Sequence, residues 1–474
     1  MGTVLRLYGI QSESAWCDEA VTLLYLPADN LHDFMQGIWI PDPHAPITPL
    51  YHWIAFAWSQ IFGGTMLAMR MMSIVLGLLA IPLLYAIGRR LFNTQAGIYA
   101  AYFGALSQVQ IYFSQEVRFY SLMTLLALIS FYALLRALED MQARWWVLHG
   151  IVNFAMLFVH PFAPIFYGTV GLYLVYQYWR TPRIVFLWGT CHVAFIILRV
   201  LHILWLDYDM GEHGILFTGP LPSWREFANA MLLFSGARFT RHNPAEWMPG
   251  GISLSLPIGG LIVLLTAWGT YVSFMKRKDC PTHWHSMVMC WMWLLFPLFF
   301  LFATSWIWRP VFFYRYVLYA AYAFPWLMGL SLTQIPSQKN LRVGVSALLV
   351  ALIAYQTFAI PRPLRADYQQ MARDINQDGK VPVLALKNLN YYGVLYCLDR
   401  DEEQVLNRYG FRELCAESMD RANRGEIFWV SFYYWDNLED FEVPLRAAGH
   451  SVEKHAYAGI PTLYGYRIQG DAKP

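Results

Sequence analysis

Ten windows of nearly uninterrupted apolar residues govern what this chain can become: near 66–88, 95–113, 119–138, 145–160, 161–179, 184–206, 251–275, 286–305, 315–333 and 342–360. Each approaches the roughly 20 residues a helix needs to cross a hydrocarbon core. With 57% hydrophobic and only 14% charged residues, the chain has too little polar material to coat soluble domains of this total length. The expected fold is an all-α polytopic membrane bundle of about ten to eleven transmembrane helices. Pro82, Pro161, Pro164 and Pro297 fall within or beside these windows and predict kinks, which neighbouring groups in a bundle accommodate. A formal net charge of +2, without a lysine-rich run or a nucleic-acid module, argues against a nucleic-acid partner and leaves membrane lipids as the surroundings.

Basic residues in the short loops orient the bundle. Arg89-Arg90, Arg136 with Arg144, Arg180 with Arg183, Lys276-Arg277-Lys278 and Lys339 with Arg342 fall on one side, which is therefore expected to be cytoplasmic. The other side receives residues 1–65, the 114–121 turn, the loop 207–250, the Trp308-Arg309-Pro310 turn and everything beyond residue 361. Met1 to Ile10 is apolar but too short to span, and it lacks the features of a signal peptide. Export of residues 1–65 then calls for an upstream helix or for insertion of the 66–88 span with its N-terminus outward, the first being favoured.

Residues 1–360 form the expected membrane domain. From 361 to 474 acidic and basic residues become frequent, and short apolar runs such as Val381–Leu386 and Ile427–Phe432 alternate with helical patterns such as Arg365–Asn376 and Leu438–Ala448. This segment is expected to be a small extracytoplasmic α/β domain. Cys191 and Cys290 lie in apolar windows as packing residues and Cys280 in a cytoplasmic loop, whereas an oxidising compartment would permit a Cys397–Cys415 disulfide.

Charged side chains are expensive beside hydrocarbon, so carboxylates and arginines at helix ends mark a candidate site. Such residues stand in Trp16-Cys17-Asp18-Glu19-Ala20 and in Ser114-Gln115-Glu116-Val117-Arg118-Phe119-Tyr120, both on the expected outer face. No zinc-type His/Cys cluster and no phosphate-cradling glycine loop occurs, which disfavours a nucleotide-sugar donor. The segment Leu5 to Leu24, Thr48-Pro49-Leu50-Tyr51, Arg70, Gly88-Arg89-Arg90-Leu91-Phe92 and Tyr112 to Ser121 together resemble the GT-C glycosyltransferases, the class of protein mannosyltransferases and aminoarabinose transferases (glycosyltransferase family 39-like). The resemblance covers roughly residues 5–140 and weakens toward Tyr314-Arg315-Tyr316.

That resemblance implies a polytopic enzyme taking a sugar from a polyprenyl-phosphate-sugar donor to a lipid, glycan or protein acceptor, at the outer face of a bacterial inner or plasma membrane. It also implies that Asp18 is the base, with Glu19 a supporting acid. Phosphate is already a good leaving group, so one carboxylate that takes the acceptor hydroxyl proton suffices, with inversion at the anomeric carbon. An acidic pair at a helix start can also be plain dipole chemistry. The developing phosphate charge needs cations, for which Arg118 comes first, then Arg315 and Arg70, with His44 a further donor-phosphate contact. Arg70 could equally snorkel to an interface and Arg315 anchor its span.

Relatives carry a His-Pro-Pro-Leu-Tyr type sequence where His44 here is followed by Ala-Pro-Ile-Thr before Pro49-Leu50-Tyr51. Glu116 is expected to pair with an arginine or to support a metal, and Tyr51, Tyr120 and His160 to touch substrate, with aromatic packing the alternative for His160. Asp18, Glu19 and Glu116 offer oxygens of the kind Mg or Mn takes, and no cofactor beyond such an ion is implied. In the outer loop, Asp207, Asp209, Glu212, His213, Trp224, Arg238, Arg241, His242 and Trp247 could close over an acceptor sugar. Two other classes stay open. A transporter or flippase would place charges mid-membrane and show internal repeats, neither of which is seen, and a non-catalytic scaffold would retain the fold without turnover.

Overall fold

The computed structural model describes residues 1–15, 17–39, 42, 45–206, 221–237, 256–335, 339–359, 367–386, 389–398, 405–408, 411–433, 438–457 and 463–471. His44 lies outside them, as do Asp207, Asp209, Glu212, His213, Arg238, Arg241, His242 and Trp247 of the large outer loop.

Every apolar window carries a helix, but their lengths differ. Among the described residues, five helices are long and apolar enough to cross a membrane by length and composition: Met66–Leu91, Tyr120–Asp140, Pro182–Trp205, the Ile258–Met275 stretch and Pro281–Ile307. Others are shorter than their windows. The 95–113 window breaks into Thr94–Ala105 and Gln108–Phe113, and the 315–333 window into a 3-10 run Tyr314–Tyr322 followed by helix Ala323–Gln334. A helix of 12 residues such as Ala323–Gln334 rises only about 18 Å, well short of a hydrocarbon core of about 30 Å. Its depth in the bundle, where every residue from Ala323 to Leu332 is buried, replaces lipid contact with protein contact.

Glycine permits this close packing. A Cβ on Gly329 would collide with the Ala96 carbonyl, and one on Gly97 would lie 2.7 Å from the Tyr85 carbonyl, so helices 66–91, 94–105 and 323–334 meet backbone to backbone. Gly329→Ala is expected to cost about 1–3 kcal/mol, the usual range for overpacking, read as a lowered melting temperature of the detergent-solubilised protein.

The stretch ahead of Met66 is built of helices. Short helices Gly2–Leu7, Cys17–Tyr25, Leu31–Trp39 and Pro49–Phe62 fill it. A further helix, Trp224–Ser235, stands inside the stretch expected to be loop, started by a capping box in which Ser223 and Glu226 satisfy each other's backbone amides. Trp224 of that helix lies on Phe302, with ring centroids 4.6 Å apart.

Residues 368–469 carry a five-stranded sheet. Its strands are β1 (Val383–Leu386), β2 (Val405–Arg408), β3 (Ile427–Tyr433), β4 (Ser451–Tyr457) and β5 (Leu463–Gln469), in the order β2-β1-β3-β5-β4. The first three are parallel and β5 runs antiparallel to β3 and β4. Side chains alternate between two cores: Val383, Ala385 and Trp429 on one face, Leu384, Phe428, Val430 and Phe432 on the other. Cys397 packs on the first face and Cys415 on the second, and both are free thiols. The sheet between them rules out the disulfide that an oxidising compartment would permit. Cys191 is exposed on its helix rather than packed, whereas Cys290 is buried.

The sheet domain sits on the membrane bundle through helix Leu389–Leu398, which packs against helix Cys17–Tyr25. Leu24 reaches into the core of the sheet domain, and the Ser14 hydroxyl meets Asp367 at 3.3 Å and the Gln369 amide at 3.2 Å. The helix that carries Asp18 is therefore clamped from above.

Candidate active site

The arginine-rich loops and the candidate site lie at opposite ends of the bundle. At one end Arg90 meets Glu139 at 3.6 Å and Phe92 packs on His283. At the other, helix 66–91 presents Arg70 and helix 120–140 begins at Tyr120.

Arg70 organises that end. Its Nε and one terminal nitrogen donate to the two Glu19 carboxylate oxygens at 3.0 and 2.8 Å, and the remaining donors reach the carbonyls of Ile10 (2.6 Å), Glu13 (3.1 Å) and Ser14 (3.1 Å). All five guanidinium N–H groups are thus spent on protein acceptors. Glu19 also accepts from the Val117 amide at 3.0 Å, and the pair is buried, with side chains 0% and 2% exposed. These contacts engage every Arg70 donor and both Glu19 carboxylate oxygens with protein partners. Both residues thereby fix the N-terminal segment against the 114–121 turn.

That turn is stitched down residue by residue. Gln115 donates to the Arg6 and Tyr8 carbonyls at 2.6 and 3.0 Å, Ser73 donates to the Glu116 carbonyl at 2.5 Å, and Glu19 holds the Val117 amide. Along with Phe119, the turn leaves Arg118 partly open, 15% exposed. Its guanidinium lies 3.4 Å from the Asp18 carbonyl and 3.4 Å from the Asp42 carboxylate. Burial opposes its charge, but Asp18 and Asp42 outweigh that cost and hold Arg118 above its ordinary range.

Arg315 comes from the opposite wall. The 3-10 run that bears it is pinned by Trp293 donating to the Tyr319 carbonyl (2.7 Å) and Gln110 donating to the Leu318 carbonyl (2.8 Å), and its guanidinium stands 4.0 Å from the Asp18 carboxylate. Asp18 is 13% exposed in the first turn of helix Cys17–Tyr25, where the helix dipole favours its charge. One aspartate therefore lies between two arginines from different loops. The Nε of each arginine has no hydrogen-bond partner among the described residues.

Tyr51, Glu116 and Tyr120 surround these charges. Tyr51 is buried, its hydroxyl has no partner among the described residues, and burial pushes its phenol above the ordinary value, which leaves a neutral donor. Glu116 is buried and interacts electrostatically with Arg315 and Tyr51. Tyr120 is buried against Phe113 and Phe119, within the field of Arg315 and Asp18. His160 is stacked between Phe119 and Tyr316 at 4.5 and 4.8 Å, and its Nδ1 accepts from the Phe162 amide at 3.2 Å. Its ring thereby ties the 114–121 turn to the Tyr314–Tyr322 run. Among the described residues, no group of three or more His, Cys, Asp or Glu side chains gathers to hold a metal.

Two residues of this cluster escaped the sequence reading, Asp42 and His52. His52 Nε2 lies 3.9 Å from the Asp42 carboxylate, and burial lowers its imidazole to about 4 against the pull of Asp42. The unfolded chain takes up this proton below about 6.5, the folded chain only near 4. The neutral ring's contribution is thus complete above about pH 6.5 and is lost as pH falls toward 4, by about 3 kcal/mol. His52→Gln is expected to flatten the fall in melting temperature between those pH values.

Comparison with known proteins finds a family match over part of the chain. Residues 44–205 match the family described as dolichyl-phosphate-mannose-protein mannosyltransferase. The structure superposes on ArnT from Cupriavidus metallidurans bound to undecaprenyl phosphate, with a TM-score of 0.59 at 12% identity over 100% of this chain and 98% of the other. The chain shares the fold of ArnT, and its residues 44–205 match the mannosyltransferase family. The apo state of the same ArnT gives a TM-score of 0.58 at 12% identity, covering 98% of this chain and 96% of that one. The apo Archaeoglobus fulgidus oligosaccharyltransferase gives 0.50 at 10% identity, covering 91% of this chain and 68% of its own. No curated protein matches in sequence.

Proposed function

We propose that this chain transfers a glycosyl group from a polyprenyl-phosphate-linked donor to a hydroxyl of a lipid, glycan or protein, at the extracytoplasmic mouth of a bacterial inner membrane. The observation that carries the reading is the convergence of Asp18 with Arg118 and Arg315 at one partly open end of the bundle. Asp18 takes the acceptor hydroxyl proton while the acceptor oxygen bonds to the anomeric carbon from the face opposite the phosphate. The pair of electrons in the breaking C–O bond passes to the bridging oxygen, giving the polyprenyl phosphate and an inverted glycoside. Arg118 and Arg315 stabilise that oxygen as its charge grows, and Tyr51 supplies a neutral donor beside them. The ArnT relative bound to undecaprenyl phosphate supports a carrier of this class.

The reading is tested by mass spectrometry of surface glycolipids and glycoproteins from cells with and without the gene. One sugar missing from one acceptor class is expected, and an unchanged set would reject an enzymatic role. Movement of a lipid-linked sugar across sealed vesicles without any new glycoside would mark a transporter instead.

A further inference from the structure

The two kinds of ion pair at this end of the bundle differ in build. Glu19 and Arg70 are in bidentate contact at 2.8 and 3.0 Å and are closed to solvent. Asp42 and Arg118 touch through one terminal nitrogen at 3.4 Å, with side chains 13% and 15% exposed and the Arg118 Nε unused among the described residues. The first arrangement is a fastening and the second is open to replacement, because an anion with several oxygens can satisfy the guanidinium better than one distant carboxylate oxygen.

Asp42 is fixed where it is. Its amide donates to the Ile38 carbonyl at 2.9 Å and its carbonyl accepts from the Ala45 amide at 2.9 Å, so the backbone delivers the carboxylate from a turn. His52 beside it is neutral and offers no compensating charge. An anion arriving on Arg118 must therefore sit next to a carboxylate that cannot retreat far.

We infer that Asp42 is a release residue, a fixed carboxylate that competes with phosphate for Arg118 and disfavours the spent carrier more than the loaded donor. This role rests on the proposed reaction and extends it to departure of the carrier after transfer. A glycosyl phosphodiester carries one negative charge, whereas the phosphate monoester left after transfer carries nearly two at neutral pH. Repulsion from a nearby carboxylate scales with that charge, so Asp42 weakens product binding about as the square of its effect on donor binding. Asp42 is thus a positioning residue that acts through Arg118.

The test measures binding to the purified full chain in detergent of three probes: farnesyl phosphate, farnesyl methyl phosphate and farnesol. Asp42→Asn is expected to tighten the monoester about tenfold and the diester about threefold, the size expected of charges several ångströms apart in a largely aqueous dielectric, with farnesol unchanged. In an Arg118→Gln background Asp42→Asn should tighten the two phosphates less than in the wild-type background, since the competition for the guanidinium is gone and only the direct repulsion is relieved. The exposed Asp33 in helix Leu31–Trp39 provides a control for net charge, and Asp33→Asn should leave all three unchanged. Weaker or unchanged monoester binding in a folded Asp42→Asn protein overturns the inference, as does equal tightening of monoester and diester. Asp42→Ser gives the same readout should the asparagine variant fail to fold. Failure of the wild-type chain to bind either phosphate probe would instead overturn the proposed reaction itself.

Discussion

Asp18→Asn is expected to lower turnover by about 10²–10⁴-fold, the range associated with loss of a positioned general base, while polyprenyl phosphate binding and melting temperature stay close to wild type. Asparagine keeps the size and hydrogen-bonding outline of the side chain, and a neutral polar group still suits the first turn of helix Cys17–Tyr25. The substitution gives up the ion pair with Arg315, which is 4.0 Å long and partly open to solvent and so contributes little to stability. Nearly all of the change should therefore fall on the chemical step. Measured on protein reconstituted with a polyprenyl-phosphate sugar, the variant should show a depressed kcat with a carrier dissociation constant unchanged or slightly improved, because one negative charge near the phosphate has gone. Turnover retained within a few-fold would remove Asp18 as the base. A collapsed melting temperature would instead make Asp18 part of the frame.

The contrast between frame and site is what the sequence conceals. The helices were readable because a run of apolar residues longer than about 15 can satisfy its backbone only by coiling in lipid or in a bundle. How far each one crosses was not readable. Helices 94–105 and 323–334 are short because their neighbours supply the missing apolar contact, and that depends on Gly97 meeting the preceding helix at Tyr85 and on Gly329 meeting Ala96, far away in the chain. The capping box at Ser223 was present as a Ser-x-x-Glu pattern, yet it opens a helix within a stretch otherwise rich in charges and tryptophan. Asp18, Glu19, Arg70, Arg118 and Arg315 all stand out by residue type, since ionisable groups near hydrocarbon are costly. Residue type does not sort them. Arg70 and Arg118 look alike in sequence, but one finds five internal acceptors and the other is left, among the described residues, with an unused Nε. Asp42 drew no notice because a lone aspartate among prolines is an ordinary turn residue, and only the approach of Arg118 from 76 residues away gives it a role.

Breaking the Glu19–Arg70 clasp is expected to be the most destabilising change in the membrane domain. Glu19→Gln leaves a guanidinium that is 2% exposed without its counter-charge, and an uncompensated buried charge of this kind costs about 3–5 kcal/mol. The same substitution weakens the acceptor of the Val117 amide, so the turn that presents Arg118 loosens with it. Arg70→Lys should fare no better, although it preserves the charge: an ammonium has three donors where five are in use, and the Ile10, Glu13 and Ser14 carbonyls cannot all be reached. Replacing both residues together, as in Glu19→Leu with Arg70→Met, often rescues a simple buried pair, but here those three carbonyls would be left without a donor and rescue should be partial. Melting temperatures in detergent for the four proteins check this order. A phosphate-binding Arg70 makes the opposite forecast, with Arg70→Lys folded and stable but weaker for farnesyl phosphate. If that is what is measured, Arg70 belongs with Arg118 and Arg315 in the site, and the clasp seen with Glu19 is a resting arrangement that the carrier displaces.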